Sequence, residues 1–344
     1  MSSSSLSENA SYPPISDFAL IGDCRSAGLV SRDGSLDWLC FPRFDSPSIF
    51  AAMLDAEDGG RFRIRPTGEF RSERRYLSDT NVIETTFRCP NGVFVLRDLM
   101  PVFFEEAKRA SLTPEHEILR EVVGIDGEVE VEILYDPRPD YGLIRPVLER
   151  LGDHVLRCEA KGAILILRSE LPLEPQGDGR GARAVVRIRA GERRYLSLTY
   201  SREAPAVIPP LGESARGRLE QTTRWWHEWA NRCAYRGPYR DAVVRSALAL
   251  KLMTFAPSGA LVAAPTTSLP EWLGGVRNWD YRYCWLRDAS FTLRALSALC
   301  YDEEAKAFHG WVLHATRLTW PELQVLYDVF GEARLPTRTG REPA

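Results

Sequence analysis

The stretch GGVRNWDYRYCWLRDASFTLRALSAL, residues Gly274–Leu299, decides how the second half of the chain folds. Its first part alternates aromatic rings with guanidinium and carboxylate groups. This mixture suits a sugar, because flat apolar faces contact C–H surfaces while charged groups bind hydroxyls. The candidate stacking residues are Trp279, Tyr281, Tyr283 and Trp285, and the candidate hydrogen-bonding residues are Asn278, Asp280, Arg282, Arg287 and Asp288.

The second part of this stretch predicts a helix that begins near Leu286. Apolar residues recur at three- and four-residue steps, as on one buried helix face, at Leu286, Ala289, Leu293, Leu296 and Leu299. Asp288 falls in the first turn, where exposed N–H groups and the helix dipole keep its carboxylate ionised. We therefore expect Asp288 to bind substrate rather than to donate a proton. The alternative is that Arg287 and Asp288 form a solvated surface pair beside core aromatic residues.

The motif as a whole carries more information than its composition. The string Gly274–Asp288 resembles the signature of glycoside hydrolase family 15, which includes glucoamylases, glucodextranases and bacterial trehalases. The resemblance implies that Trp285 stacks near the innermost sugar ring and that Arg287 and Asp288 hold hydroxyls of the terminal glucose. It also implies that Tyr281 lies close to the reacting centre. These four side chains are the predicted substrate-binding residues.

Other segments carry the same resemblance. Three segments resemble the N-terminal domain of the bacterial trehalase-type members: Tyr12–Cys24, Leu29–Cys40 and Pro42–Pro47. Ala264–Glu271 is similar to the family segment before the motif, and Leu323–Tyr327 and Gly331–Pro336 are similar to the segment after it. Together the matches extend over nearly the whole chain, which chance motif hits do not reach.

The composition indicates a globular protein. With 44% apolar residues and a formal net charge of −3, the chain can form a core and has no basic excess, which argues against nucleic-acid binding. No apolar run reaches the ~18 residues of a membrane span, and Met1–Pro14 has no apolar signal-peptide core. We therefore expect a cytoplasmic protein that contacts neither nucleic acid nor membrane.

The seven cysteines and five histidines predict neither a metal site nor a cofactor. The number of cysteines is odd, and none of them has C-x-x-C spacing, so we expect neither a disulfide framework nor a zinc site. We interpret them as small buried apolar residues. His309 and His314 are five positions apart, a spacing that does not place two ligands on one helix face.

Strand signals dominate residues 12–200. Turn signals at Asp33–Gly34 and Pro90–Gly92 predict hairpins. The expected strands are Leu29–Ser31, Ser35–Cys40, Val82–Cys89, Val93–Met100, Val129–Tyr135, Val155–Glu159, Ile164–Ser169, Ala184–Arg189 and Tyr195–Tyr200. Many short strands with such turns predict an antiparallel β-sandwich, of the trehalase-like N-terminal type by the resemblance. Residues 1–11 are expected to form a disordered tail.

A linker and a helical part are expected to follow the strands. Residues 201–216 are predicted to be the linker, because their prolines remove backbone donors and fix an extended geometry. Periodicity predicts helices at Leu219–Cys233, Tyr239–Phe255, Tyr283–Cys300 and Asp302–Leu318. The resemblance implies that residues 217–336 form the N-terminal portion of an (α/α)6 barrel, and residues 337–344 no longer match the family.

The resemblance also implies an activity. Family 15 enzymes hydrolyse α-glucosidic bonds with inversion, using one carboxylic acid and one carboxylate base. Both catalytic glutamates follow the element that matches Leu323–Tyr327, so we expect a C-terminally truncated chain with no catalytic residue. Its incomplete ring of helices should leave Leu286, Leu293 and Leu296 uncovered and favour homo-oligomers.

Two functions stay open. One is an inverting hydrolase of terminal α-glucosidic bonds, in trehalose or α-glucooligosaccharides. The other is a non-catalytic, truncated sugar-binding or interaction protein.

Overall fold

A computed structural model describes residues 12–110, 112–177, 179–202, 207–268, 271–272, 274–317 and 319–333. The predicted tails, residues 1–11 and 337–344, lie outside the described residues. So do residues 203–206 of the predicted linker and residues 334–336 of the predicted barrel portion.

Within the described ranges, residues 18–201 form an antiparallel sheet of fifteen strands. The strands are β1 (Phe18–Gly22), β2 (Ala27–Ser31), β3 (Ser35–Cys40), β4 (Ser48–Phe50), β5 (Arg61–Pro66), β6 (Arg71–Tyr76), β7 (Ile83–Cys89), β8 (Gly92–Leu99), β9 (Glu117–Asp136), β10 (Leu148–Arg150), β11 (Val155–Ala160), β12 (Ala163–Ser169), β13 (Glu174–Pro175), β14 (Ala182–Arg189) and β15 (Arg193–Ser201). Each predicted strand overlaps one of these, so the antiparallel architecture of the first part is confirmed.

The long strand β9 joins the two halves of this sheet. Its first half pairs with β8 and β15, and its second half pairs with β5 and β14. Gly124 lies where β9 changes partners, and a Cβ there would stand 1.9 Å from the carbonyl oxygen of Arg189. Apolar residues from both halves, among them Leu36, Phe87 and Ile133, form one buried core. The two halves therefore share one hydrophobic interior.

Helices replace strands after residue 212. They are α2 (Glu213–Ala230), α3 (Arg240–Leu252), α4 (Leu286–Ala298) and α5 (Asp302–Arg317); a short helix α1 (Glu105–Ala110) precedes β9, and a small strand pair joins β16 (Cys284–Trp285) to β17 (Leu326–Tyr327). The four predicted helices are confirmed. Because α2 begins at Glu213, residues 213–216 are helical, and the linker prediction was wrong there. The domain division and the (α/α)6 barrel stay predictions.

The helices and the sheet share a second apolar cluster. It contains Trp226, Leu248 and Trp311 from the helices together with Phe44 and Val102 from the first part of the chain. Side chains from the sheet and from the helices are thus buried together in this one cluster. The helical part is consequently packed on the sheet rather than separated from it.

The expectation that Leu286, Leu293 and Leu296 lie uncovered was wrong. Leu296 is fully buried, and the other two are half-buried against the second cluster, because α3 and α5 pack against α4. The exposed large apolar side chains of this part are other residues, among them Phe291, Leu313, Trp320, Leu323, Val325 and Phe330.

The sequence also led to expectations for the burial of the cysteines and for membrane-spanning helices. All seven cysteines are free, and five are buried as expected, whereas Cys89 is half-buried and Cys300 is exposed just after α4. Of the helices that the structure describes, none is long and apolar enough to cross a membrane.

Candidate functional site

The segment that precedes the aromatic motif pairs with it through backbone hydrogen bonds. The amide of Ala264 donates to the carbonyl oxygen of Tyr281 at 2.8 Å, and the amide of Ser268 donates to that of Trp279 at 2.7 Å. The Ser268 hydroxyl accepts a hydrogen bond of 2.8 Å from the Trp279 amide. The motif outside α4 therefore has a fixed backbone although it contains little regular secondary structure.

Trp285 lies at the centre of the aromatic group. Its indole Nε1 donates to the carbonyl oxygen of Asp280 at 2.9 Å. The ring centroid of Tyr281 is 5.7 Å from that of Trp285, and the Trp279 ring meets Trp285 edge-on at 6.3 Å. Tyr281 and Trp285 are half-buried, and Trp279 is exposed. Parts of these rings are accessible to a ligand.

Arg287 and Asp288 lie in the first turn of α4, directly after Trp285. Their side chains form an ion pair with 2.9 Å between Arg287 Nη2 and Asp288 Oδ2, and the guanidinium carbon of Arg287 is 5.9 Å from the Trp285 ring. The Arg287 side chain is 65% exposed and that of Asp288 is 32% exposed. The solvated pair considered from the sequence is thus formed. Because such a pair contributes only about 0–1 kcal/mol, ligand hydroxyls can replace it at little cost.

The structure brings the four predicted substrate-binding side chains together. Tyr281 and Arg287 flank the Trp285 ring, and Asp288 is paired with Arg287. The group combines an aromatic surface, guanidinium donors and a carboxylate acceptor at a helix N-terminus. Its role in binding sugar stays a prediction.

Arg282 does not belong to this accessible group. It is 4% exposed; its Nε and Nη2 donate to the two carboxylate oxygens of Asp280 at 2.9 and 2.7 Å, and its Nη1 donates to the carbonyl oxygen of Ser46 at 2.8 Å. Burial alone would lower the pKa of Arg282, but the hydrogen bonds to Asp280 outweigh it and raise that pKa, so the guanidinium stays charged. The interpretation of Arg282 as a hydroxyl-binding residue was wrong, because protein groups occupy its donors.

Tyr283 also lies outside the accessible group. Its side chain is buried, whereas those of Tyr281 and Trp285 on either side are half-buried. Asn278, which precedes these aromatic residues in the motif, is exposed.

The contact between Arg282 and Ser46 could not be predicted from the sequence, because the two residues are 236 positions apart and no local pattern connects them.

A cavity of about 1400 Å³ lies beside this site, between the first strands and the Pro265–Thr267 segment. None of the four predicted residues lines it. Two of its charged side chains are already bonded: the Ser35 hydroxyl donates to Asp37 at 2.6 Å, and Arg61 donates to the carbonyl oxygen of Ala56 at 2.8 Å. Across the described ranges, no group of three or more His, Cys, Asp or Glu side chains could hold a metal ion.

Two family models match the chain. The model described as "Trehalase-like, N-terminal" matches residues 6–219, and the model described as "Glycosyl hydrolases family 15" matches residues 237–338. The second match includes the aromatic motif and the start of α4.

Curated relatives match over most of the chain. A trehalase of Mycobacterium tuberculosis is 37% identical over 97% of this chain and 52% of its own length. A trehalase of Mycolicibacterium smegmatis is 36% identical over 94% of this chain and 51% of its own, and one of Thermoplasma volcanium is 35% identical over 86% and 46%. The chain spans about half the length of these relatives.

Proposed function

The chain belongs to the glycosyl hydrolases of family 15 that carry a trehalase-like N-terminal domain, and we propose that it binds trehalose for inverting hydrolysis. The observation that carries this proposal is the contiguous group of Tyr281, Trp285, Arg287 and Asp288 at the start of α4. Trehalose is preferred over other α-glucosides because the relatives that match most of the chain are named trehalases.

Each side chain of the group has a separate task in binding a glucosyl unit. The Trp285 ring contacts the apolar face of the sugar, and Tyr281 limits the space beside it. Asp288 accepts hydrogen bonds from hydroxyls. Arg287 donates to hydroxyl oxygens. Each charge-assisted hydrogen bond of this kind contributes roughly 1.5–3 kcal/mol.

The reaction proposed is displacement at one anomeric carbon of trehalose by water. A carboxylic acid protonates the bridging oxygen, and a carboxylate on the opposite face removes a proton from the water. The attacked glucose leaves as the β-anomer and the other as the α-anomer, so one molecule of each forms per trehalose. The residues described above bind the sugar, and none of them is assigned as the acid or the base.

Saturation-transfer NMR on the purified chain tests this proposal. Trehalose should receive saturation from the protein, and the signal should fall when Trp285 is replaced by alanine. Trp320→Ala, at an exposed tryptophan outside the group, is the matched control and should leave the signal unchanged. In the same tube, any glucose released above a protein-free control should appear as equal amounts of the α- and β-anomers.

Three results of this experiment are informative. Absence of saturation transfer to trehalose would overturn the proposed function. Equal initial release of α- and β-glucose would support inverting hydrolysis of trehalose. Release of α-glucose alone would contradict inversion.

A further inference from the structure

We infer that Arg282 is a positioning residue through which the N-terminal sheet fixes the orientation of the Trp285 ring. The assignment of that ring to sugar binding rests on the proposed function. The positioning itself rests on contacts that run from the sheet to Arg282, from Arg282 to Asp280, and from Asp280 to Trp285.

The sheet side of this connection surrounds the Arg282 guanidinium. Its Nη1 donates to the Ser46 carbonyl oxygen at 2.8 Å and lies 3.4 Å from the Cys40 sulfur. The guanidinium carbon stands 5.9 Å from the Trp38 ring centroid and 5.7 Å from that of Tyr141. All four partners precede residue 201. A planar cation with fixed donors and aromatic neighbours has little freedom to change its orientation.

The site side begins at Asp280. Both of its carboxylate oxygens accept hydrogen bonds from the Arg282 side chain, and Oδ1 also accepts from the Arg282 amide at 3.0 Å. The carbonyl oxygen of the same residue accepts the Trp285 Nε1 hydrogen bond. Because the Arg282 contacts fix the Asp280 side chain and the local backbone, they also fix the acceptor that orients the indole.

A second contact from the sheet supports the same region. The Trp38 indole, which is fully buried, donates to the carbonyl oxygen of Pro265 at 2.9 Å. The adjoining residue pairs with the motif, since Ala264 donates to Tyr281. The motif is therefore held by the sheet on two sides, through Arg282 directly and through Trp38 indirectly.

Arg218 provides a matched control for the structural cost of losing a buried arginine. It is 6% exposed, its Nε is 3.1 Å from Glu117 of β9, and its Nη1 donates to the Pro210 carbonyl oxygen at 2.9 Å. It thus also links the helical part to the sheet. None of its described partners lies in the aromatic motif. Loss of either arginine should destabilise the protein, but only loss of Arg282 should release Trp285.

The test compares Arg282→Gln with Arg218→Gln in the whole chain. Hydrogen exchange is measured in peptides covering residues 279–288, together with thermal stability and trehalose affinity. Each variant is measured at the same number of degrees below its own melting temperature. Arg282→Gln should then speed exchange of these peptides by about tenfold, and Arg218→Gln by less than about twofold. Trehalose affinity should fall about tenfold in Arg282→Gln only.

Equal exchange in the two variants would overturn the positioning role. If the wild-type chain does not bind trehalose, the proposed function fails while hydrogen exchange still decides this inference. If Arg282→Gln does not fold, Asp280→Asn is used instead, because this variant removes the charged partner of Arg282 and keeps the backbone acceptor of Trp285. Asp280→Asn should also speed exchange in the peptides covering residues 279–288. Unchanged exchange in these peptides would reject the inference.

Discussion

The indole Nε1 of Trp285 donates a hydrogen bond of 2.9 Å to the carbonyl oxygen of Asp280, five residues earlier in the chain. This bond holds the Trp285 ring in one orientation, between Tyr281 and the guanidinium of Arg287. A ring that is oriented before the ligand arrives loses less conformational freedom on binding. The aromatic surface of the candidate site is therefore preorganised.

Asp288→Asn should weaken trehalose binding by about tenfold, because a charge-assisted acceptor becomes a neutral one. Asp302→Asn is the matched control, since Asp302 is also an acid in the first turn of a helix, α5, but lies away from the aromatic group. It should change affinity by less than about twofold. Titration of each variant with trehalose, followed by saturation-transfer NMR, measures the difference. Equal affinities in the two variants would remove Asp288 from the site.

Asp23→Asn should stabilise the protein at neutral and higher pH. The Asp23 side chain is buried and accepts hydrogen bonds from the amides of Arg25 and Ser26 at 2.9 and 2.8 Å. Burial raises the pKa of Asp23 from 3.8 to about 6. The folded protein therefore binds this proton more tightly than the unfolded chain, so stability is lost as pH rises from about 4 to about 6.

Asparagine keeps an acceptor oxygen for both amides and cannot ionise. The gain from Asp23→Asn should be near zero at pH 4 and reach up to about 3 kcal/mol at pH 8, since one pKa unit corresponds to about 1.4 kcal/mol. Urea unfolding at both pH values measures it. Asp153→Asn, at an 88% exposed side chain, is the control and should show no such change. A gain that is the same at pH 4 and pH 8 would contradict the ionisation account.

Gly34→Ala should destabilise the fold far more than Gly191→Ala. Both glycines have positive φ angles, +77° and +81°. A Cβ at Gly34 would lie 2.2 Å from the carbonyl oxygen of Ile64, whereas one at Gly191 would meet nothing within 4 Å. The backbone strain alone costs about 1 kcal/mol, and we expect about 2–4 kcal/mol in total for Gly34.

Gly34 also has a role in the core, because its carbonyl oxygen accepts a 2.7 Å hydrogen bond from the buried Arg120. Displacing that carbonyl would weaken a partner of a fully buried charge. Chemical denaturation of the two alanine variants gives the comparison. Similar losses of stability in both would show that the contact with Ile64 relaxes without cost.

Two strand segments that were not predicted from the sequence, β6 and the first half of β9, lack an apolar pattern for physical reasons. Strand β6, RSERRY, has almost no apolar residues. It is an edge strand that pairs with β7, and its side chains are half-buried or exposed, so it needs no apolar face. The first half of β9 contains the fully buried Arg120 and Glu121. Their partners, Asp98 at 2.7 Å from Arg120 and Arg97 at 2.6 Å from Glu121, come from β8. Burial patterns based on apolar residues cannot reveal a strand that buries paired charges.

The candidate site was predictable to the extent that it is local. Tyr281, Trp285, Arg287 and Asp288 lie within eight consecutive positions, so the helix start and the short turn before it bring them together. The side of the motif that faces the sheet was not predictable, since Arg282 meets its partners only through the tertiary fold. The alternation of aromatic and charged residues does not distinguish an accessible guanidinium from a buried one.

A crystal structure of the chain with trehalose bound would test most directly whether the group at the start of α4 binds the sugar. We expect one glucosyl ring within about 4 Å of the Trp285 ring, the distance of apolar contact, with hydroxyls in hydrogen-bond range of Arg287 and Asp288. Trehalose bound instead in the cavity beside Trp38, with the group at the start of α4 empty, would contradict it.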